Sequence, residues 1–100
     1  PVQPTPMDLW ATEPILSLAA AERTESVLVL NRVPARSRLT ADMREALKEF
    51  PAETTRAFLG NRVAYAASVG AGMTAMETEP GGKASQEVQA LAKELLQRLT

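Results

Sequence analysis

The sequence predicts an α/β fold with a mostly parallel sheet, and three observations predict it. Val27-Leu28-Val29-Leu30 is an unbroken apolar run, which suits a parallel strand covered on both faces. Helical patterns alternate with extended ones along the chain, the order expected of strands joined by crossover helices. The C-terminal segment repeats Val88, Leu91, Ala92, Leu95, Leu96 and Leu99 at helical spacing, so it closes the fold with an apolar stripe.

The elements follow in order. Pro1, Pro4 and Pro6 make residues 1–7 extended and turn-rich, the end of a strand running into a loop. Asp8 or Thr12 is placed to cap the next helix. Pro14 belongs in a first helical turn, so a short turn over 8–12 and a helix over 13–23 are expected, with Ile15, Leu18 and Ala19 as its apolar face. After the strand at 27–30 comes a basic loop over 35–39. Thr40 caps a helix over 41–50, which buries Met43, Ala46, Leu47 and Phe50 and turns Arg44, Glu45, Lys48 and Glu49 to water. Pro51 stops it. Residues 53–59 read as a strand, Gly60-Asn61 as a turn, and 62–69 as a short helix ended by Gly70 and Gly72. Residues 73–78 read as a short edge strand or extended loop. Pro80-Gly81-Gly82 turns the chain into a helix over 84–98.

Composition narrows the chemistry. With 100 residues there is one small domain, or part of a larger one, and the absence of a starting Met at Pro1 suggests a fragment. The chain has no Cys and no His, so disulfides, thiolate chemistry and imidazole acid–base work are excluded. That usage fits a reducing cytoplasm. Net charge is −1, so nucleic-acid binding would rest on a local patch. No apolar run approaches the ~18 residues of a membrane span.

Ligands of open α/β sheets bind beyond the carboxyl ends of the strands. Two such ends are visible: Val2 leading into Gln3-Pro4-Thr5-Pro6-Met7-Asp8, and Leu30 leading into Asn31-Arg32. A carboxamide there suits the edge of a purine, and a guanidinium suits a base plane or a phosphate. The plainer alternative makes Asn31 a turn residue and Arg32 a solvated one. Gly81-Gly82-Lys83 invites a phosphate-loop reading, which fails. Counting back from Gly82 puts Glu77 where the first glycine belongs, and Ala84 stands where Ser or Thr is needed. Arg36, Arg38 and Arg62 lie in or near loops, within reach of a phosphate backbone. Ion pairs with Asp42, Glu45 and Glu49 are the alternative for the arginines of this region. Met7 and Trp10 line either a pocket, an interface or the neighbouring helix. Glu77 and Glu79 lack a third convergent ligand and read as a solvated loop.

Taken in order, these segments resemble a family. Residues 1–8, Val29-Leu30-Asn31-Arg32, the run from Arg56 to Tyr65, Gly70-Ala71-Gly72-Met73-Thr74, and Gly81-Gly82-Lys83-Ala84 with its Leu-rich helix are together similar to the C-terminal portion of small ParA-type (ParF-like) partition ATPases. The resemblance implies a layered α/β fold of the deviant Walker A (ParA/MinD) superfamily. It implies ATP and Mg in the full-length protein, a nucleotide-dependent homodimer, nonspecific DNA binding, a DNA-bound ParB-type adaptor, and a nucleoid-associated bacterial cytoplasmic setting. It places Pro4, Thr5, Pro6, Met7 and Asp8 near the nucleotide and dimer interface, Asn31 and Arg32 near the base, and Arg36, Arg38 and Arg62 on DNA. The family's phosphate loop and switch aspartates precede the segments seen here, so hydrolysis by this chain alone is not expected.

Two other readings compete. One is a self-standing α/β interaction domain without nucleotide chemistry. The other is a cell-division positioning ATPase with a membrane-binding C-terminal helix. Lys83, Lys93 and Arg98 against Glu87 and Glu94 suit core packing better than an anionic membrane, which favours partition. An exposed sheet edge would favour self-association.

Overall fold

The structure, a computed structural model, describes residues 1–36 and 38–99. It is a small mixed α/β domain, mostly helical, around a two-stranded parallel sheet. The elements are α1 (Pro6–Ala21), β1 (Val27–Leu28), α2 (Arg38–Leu47), β2 (Glu53–Thr54), α3 (Val63–Gly70), α4 (Ala75–Thr78) and α5 (Lys83–Leu99). Val27 pairs with Glu53 and Leu28 with Thr54. Two isolated parallel bridges extend the sheet: Val2 with Leu30 adds a third segment beside β1, and Val33 with Gly60 continues the β1–β2 pairing. Three extended segments therefore run in one direction, in sequential order, joined by α1 and α2. Crossovers of one hand in sequential order put both helices on one face.

That face is the core. Val2, Leu16, Leu28, Leu30, Val33 and Leu47 are buried together, with Leu9, Phe50 and Ala52 packed against them. Burial alternates along the first strand: Leu28 and Leu30 are buried, Val27 and Val29 only half-buried. The expected cover on both faces is thus full on one face and partial on the other. The radius of gyration is 14.5 Å, against about 13 Å for a compact chain of this length.

The first helix differs most from expectation. It starts at Pro6, not 13, because Thr5 caps it: Thr5 is extended and its Oγ1 accepts from the Asp8 amide at 3.2 Å. Pro6 follows at N1, where a missing N–H costs nothing. Asp8 and Thr12 are not caps; Thr12 instead donates to the Asp8 carbonyl at 2.8 Å. Pro14 lies mid-helix at an exposed position, where it has no N–H to donate to the Trp10 carbonyl. The buried positions are Thr12 and Leu16, while Ile15 and Leu18 point outward. The helix is apolar on two faces, and the core takes the one centred on Leu16. It ends in a Schellman turn: Thr24 donates to the Ala19 carbonyl and Arg23 to that of Ala20, with Arg23 left-handed at φ 55°.

Three further expectations are corrected. α2 begins at Arg38, so Arg38 and Leu39 are helical rather than part of a basic loop over 35–39, and residue 37 lies outside the described residues. Thr40 is then inside the helix and not its cap. The apolar face of α2 is as expected, and its end tightens into i→i−3 bonds from Lys48, Glu49 and Phe50 before Pro51. Only Glu53–Thr54 of the 53–59 segment is strand. Thr55 and Leu59 donate to the Leu28 and Leu30 carbonyls, and residues 56–58 bulge out between them. Residues 74–78 form a capped turn of helix instead of extended chain: Thr74 Oγ1 accepts from the Glu77 amide and Glu77 accepts from the Thr74 amide. α3 ends through Gly72, whose φ of +70° lets Met73 donate to the Ser68 carbonyl. α5 half-buries Val88, Leu91 and Leu95 but leaves Ala92, Leu96 and Leu99 exposed.

Candidate functional site

Parallel segments end on the same edge of a layer, so the chain following Val2, Leu30 and Leu59 emerges on one side. The first two ends are tied directly. The Asn31 amide donates to the Val2 carbonyl at 2.9 Å, and the Val2 amide to the Val29 carbonyl at 2.8 Å. Asp8 braces the first loop from within: its Oδ2 accepts from the Gln3 amide at 2.8 Å. The family-like stretch Pro4, Thr5, Pro6, Met7 and Asp8 is therefore the capped start of α1. Thr5 and Asp8 are engaged in that cap, and Met7 is 74% exposed.

Asn31 Oδ1 accepts from the Arg32 amide at 2.9 Å, which leaves the carboxamide NH₂ as its outward donor. Arg32 is exposed and left-handed at φ 54°. Arg36 is also left-handed, at φ 55°. Such backbone is disfavoured for any residue with a Cβ.

A cleft of about 350 Å³ lies beside the third end, lined by Val33, Pro34, Ala35, Arg36, Thr40, Phe58, Gly60, Asn61 and Arg62. It joins Arg36 and Arg62. Arg38, in the first turn of α2, is exposed and does not line it. Thr40 Oγ1 is buried without a hydrogen-bond partner.

Two carboxylates of α5 organise this edge, and neither stood out in the sequence. Glu87 accepts from the Gly60 amide at 3.2 Å to each oxygen, from Arg62 Nε at 2.9 Å and Nη2 at 3.1 Å, and from the Tyr65 hydroxyl at 2.8 Å. Burial alone would push Glu87 up, but hydrogen bonds from Arg62, Tyr65 and Gly60 outweigh it and hold the carboxyl below its usual range. Tyr65 is pushed well up, chiefly by burial and then by the Glu87 contact. The Glu87 hydrogen bond raises Arg62 further. Glu94 accepts from the Ala57 amide at 2.8 Å and from the Arg56 amide at 3.0 and 2.9 Å. The Ala57 bond leads in holding its pKa down. These carboxylates sit at i and i+7 on α5, beside Val88, Leu91 and Leu95, so a helical wheel would have placed them at the margin of the buried stripe.

Arg44 also departs from expectation. It turns inward, donating to the Thr55 and Arg56 carbonyls at 3.1 and 3.3 Å, with its guanidinium 6.0 Å from the Phe58 ring centroid. Of the ion pairs expected near the arginines, Asp42, Glu45 and Glu49 provide none to Arg36, Arg38 or Arg62 among the described residues; Glu45 pairs with Lys48. Among the described residues no cluster of three or more acidic groups could hold a metal ion, and no helix is long and apolar enough to cross a membrane. Neither a protein-family model nor a curated protein matches the chain.

Proposed function

We propose that this chain is the base-side and interface-side part of a ParA-like ATPase that acts in DNA partition, binding DNA without sequence preference and dimerising with ATP. The carrying observation is that three parallel ends share one edge of the layer. That edge bears the capped Pro4–Asp8 turn, the Asn31 carboxamide, and the exposed guanidinium groups of Arg32 and Arg36. Asn31 and Arg32 suit the base of a nucleotide, and Arg36, Arg38 and Arg62 suit a phosphate backbone. No phosphate loop occurs in the 100 residues. The phosphates, magnesium and attacking water are then left to segments outside them.

The test is complementation. Mixed with the phosphate-loop half of a ParA-type ATPase, this chain should restore ATP-dependent association and hydrolysis. Hydrolysis no greater than that of the separate parts would sink the reading.

The self-standing interaction domain keeps one observation in its favour. The outward face of α1 carries Met7, Trp10, Ile15 and Leu18, and Trp10 is 72% exposed. An unpartnered apolar stripe of this kind marks a protein contact. Under that reading association is independent of nucleotide, and the same mixing experiment separates the two.

A further inference from the structure

Gly60 and Arg62 serve two neighbourhoods. Together with the Tyr65 hydroxyl they hold the Glu87 carboxylate. They also line the cleft of about 350 Å³ with Arg36, Thr40 and Asn61. Among the described residues no carboxylate lines that cleft, although two guanidinium groups and a carboxamide do. The buried Thr40 hydroxyl in its wall has no partner. Arg36 reaches the cleft from a backbone conformation that a glycine or asparagine would hold with less strain.

We infer that the cleft is a seat for a single phosphate group, and that Glu87 of α5 is an internal competitor for Arg62, which lines the cleft but is bonded to Glu87. A carboxylate and a phosphate present the same paired oxygens to an arginine fork, so one guanidinium can exchange between them. With α5 docked, Arg62 is satisfied by Glu87 and the seat is half-armed, with Arg36 alone. A phosphate entering beside Arg36 meets Gly60, Asn61 and Arg62, and each contact it gains from Gly60 or Arg62 is one Glu87 loses. The inference rests on the polyanion reading of this edge and supplies its regulation: DNA would bind most tightly when α5 has let go of Arg62.

The test titrates the ¹⁵N-labelled chain with inorganic phosphate, following the Gly60 and Asn61 amides and the Arg62 Nε–H, and in parallel titrates a fluorescent DNA duplex. Glu87→Gln should bind phosphate about tenfold tighter than the unaltered chain, the order expected for freeing one charged hydrogen-bond partner. Arg36→Ala should lower phosphate binding in both backgrounds. Glu49→Gln removes the same charge from the exposed turn after α2 and should change phosphate affinity less than about twofold. Tyr65→Phe takes one donor from Glu87 without changing charge, so the carboxylate leans harder on Arg62 and phosphate affinity should fall, which keeps the test open if Glu87→Gln fails to fold. Equal gains in the Glu87 and Glu49 variants would reveal a general field effect and overturn the inference. So would a gain in Tyr65→Phe, or phosphate shifts that miss Gly60 and Asn61. If phosphate affinity responds as expected but no variant binds duplex, the seat stands and the DNA reading falls. If duplex binds and Glu87→Gln leaves both affinities unchanged, the DNA reading stands and the seat falls.

Discussion

Replacing Glu94 by Gln isolates the charge that docks α5 onto the bulge at 56–58. The carboxylate takes three hydrogen bonds of 2.8–3.0 Å from the Arg56 and Ala57 amides, which donate to no carbonyl of the layer. Its side chain is 19% exposed, so water competes only in part. Glutamine keeps the shape but offers a single neutral acceptor oxygen. Hydrogen bonds to charged groups contribute about 1.5–3 kcal/mol and neutral ones about 0.5–1.5 kcal/mol, so a loss of about 1–2 kcal/mol is expected at neutral pH. For a chain of this size that lowers Tm by ~4–8 °C per kcal/mol. The pH dependence carries a sign. The folded pKa of Glu94 is depressed, so its contribution is complete above the ordinary value of 4.5 and is lost as pH falls through the folded value. The gap between the unaltered chain and Glu94→Gln should therefore be widest at neutral pH and close in acid. Urea midpoints measured from neutral pH downward check this. A variant as stable as the unaltered chain at neutral pH, or a gap that persists unchanged into acid, would refute the docking role.

Other outcomes follow from single side chains. Thr5→Ala removes the α1 cap and should cost about 1 kcal/mol, read from urea midpoints, whereas Thr12→Ala at the position first suspected of capping should leave the helix start intact by amide exchange. Gly72→Ala meets no neighbouring atom within 4 Å, so its cost of about 1 kcal/mol would come from the left-handed backbone alone. Thr40→Val removes a buried hydroxyl without a partner and should stabilise the chain by about 1 kcal/mol. A destabilised Thr40→Val would mean that the hydroxyl has a structural use.

What the sequence made legible was what apolar burial writes into it. Leu28 and Leu30, the α2 face of Met43, Ala46, Leu47 and Phe50, and the α5 positions Val88, Leu91 and Leu95 all carry their period into the fold. Patterning failed where both alternatives were apolar. Ile15 and Leu18 against Leu9 and Leu16 give α1 two apolar faces, and only packing against Leu30 and Leu47 chooses between them. Pro14 pointed to a helix start because the strength of the Thr5–Pro6–Asp8 cap, which starts the helix a full two turns earlier, lies in side-chain geometry. The segment 55–59 looked like strand because its composition suits one. In its middle the Arg56 and Ala57 amides are taken by Glu94 and the Thr55 and Arg56 carbonyls by Arg44, and hydrogen bonds from distant side chains leave no periodic trace. The surroundings of Arg62 were illegible for the same reason: Glu87 lies 25 residues away, as an ordinary-looking charge on an amphipathic helix. The candidate residues at the carboxyl ends were legible because parallel topology alone decides which loops meet, and that topology was readable from element order.

The central claim is that the edge shared by the three parallel ends meets a polyanion through its arginines. Duplex affinity measured between ~50 and ~200 mM salt, for the unaltered chain and for the Arg36→Ala, Arg38→Ala, Arg62→Ala triple variant, tests it most directly. Binding should be independent of sequence, with a log–log salt slope that becomes shallower in the variant by about one per phosphate contact removed. The same affinity and the same slope in both chains would contradict it.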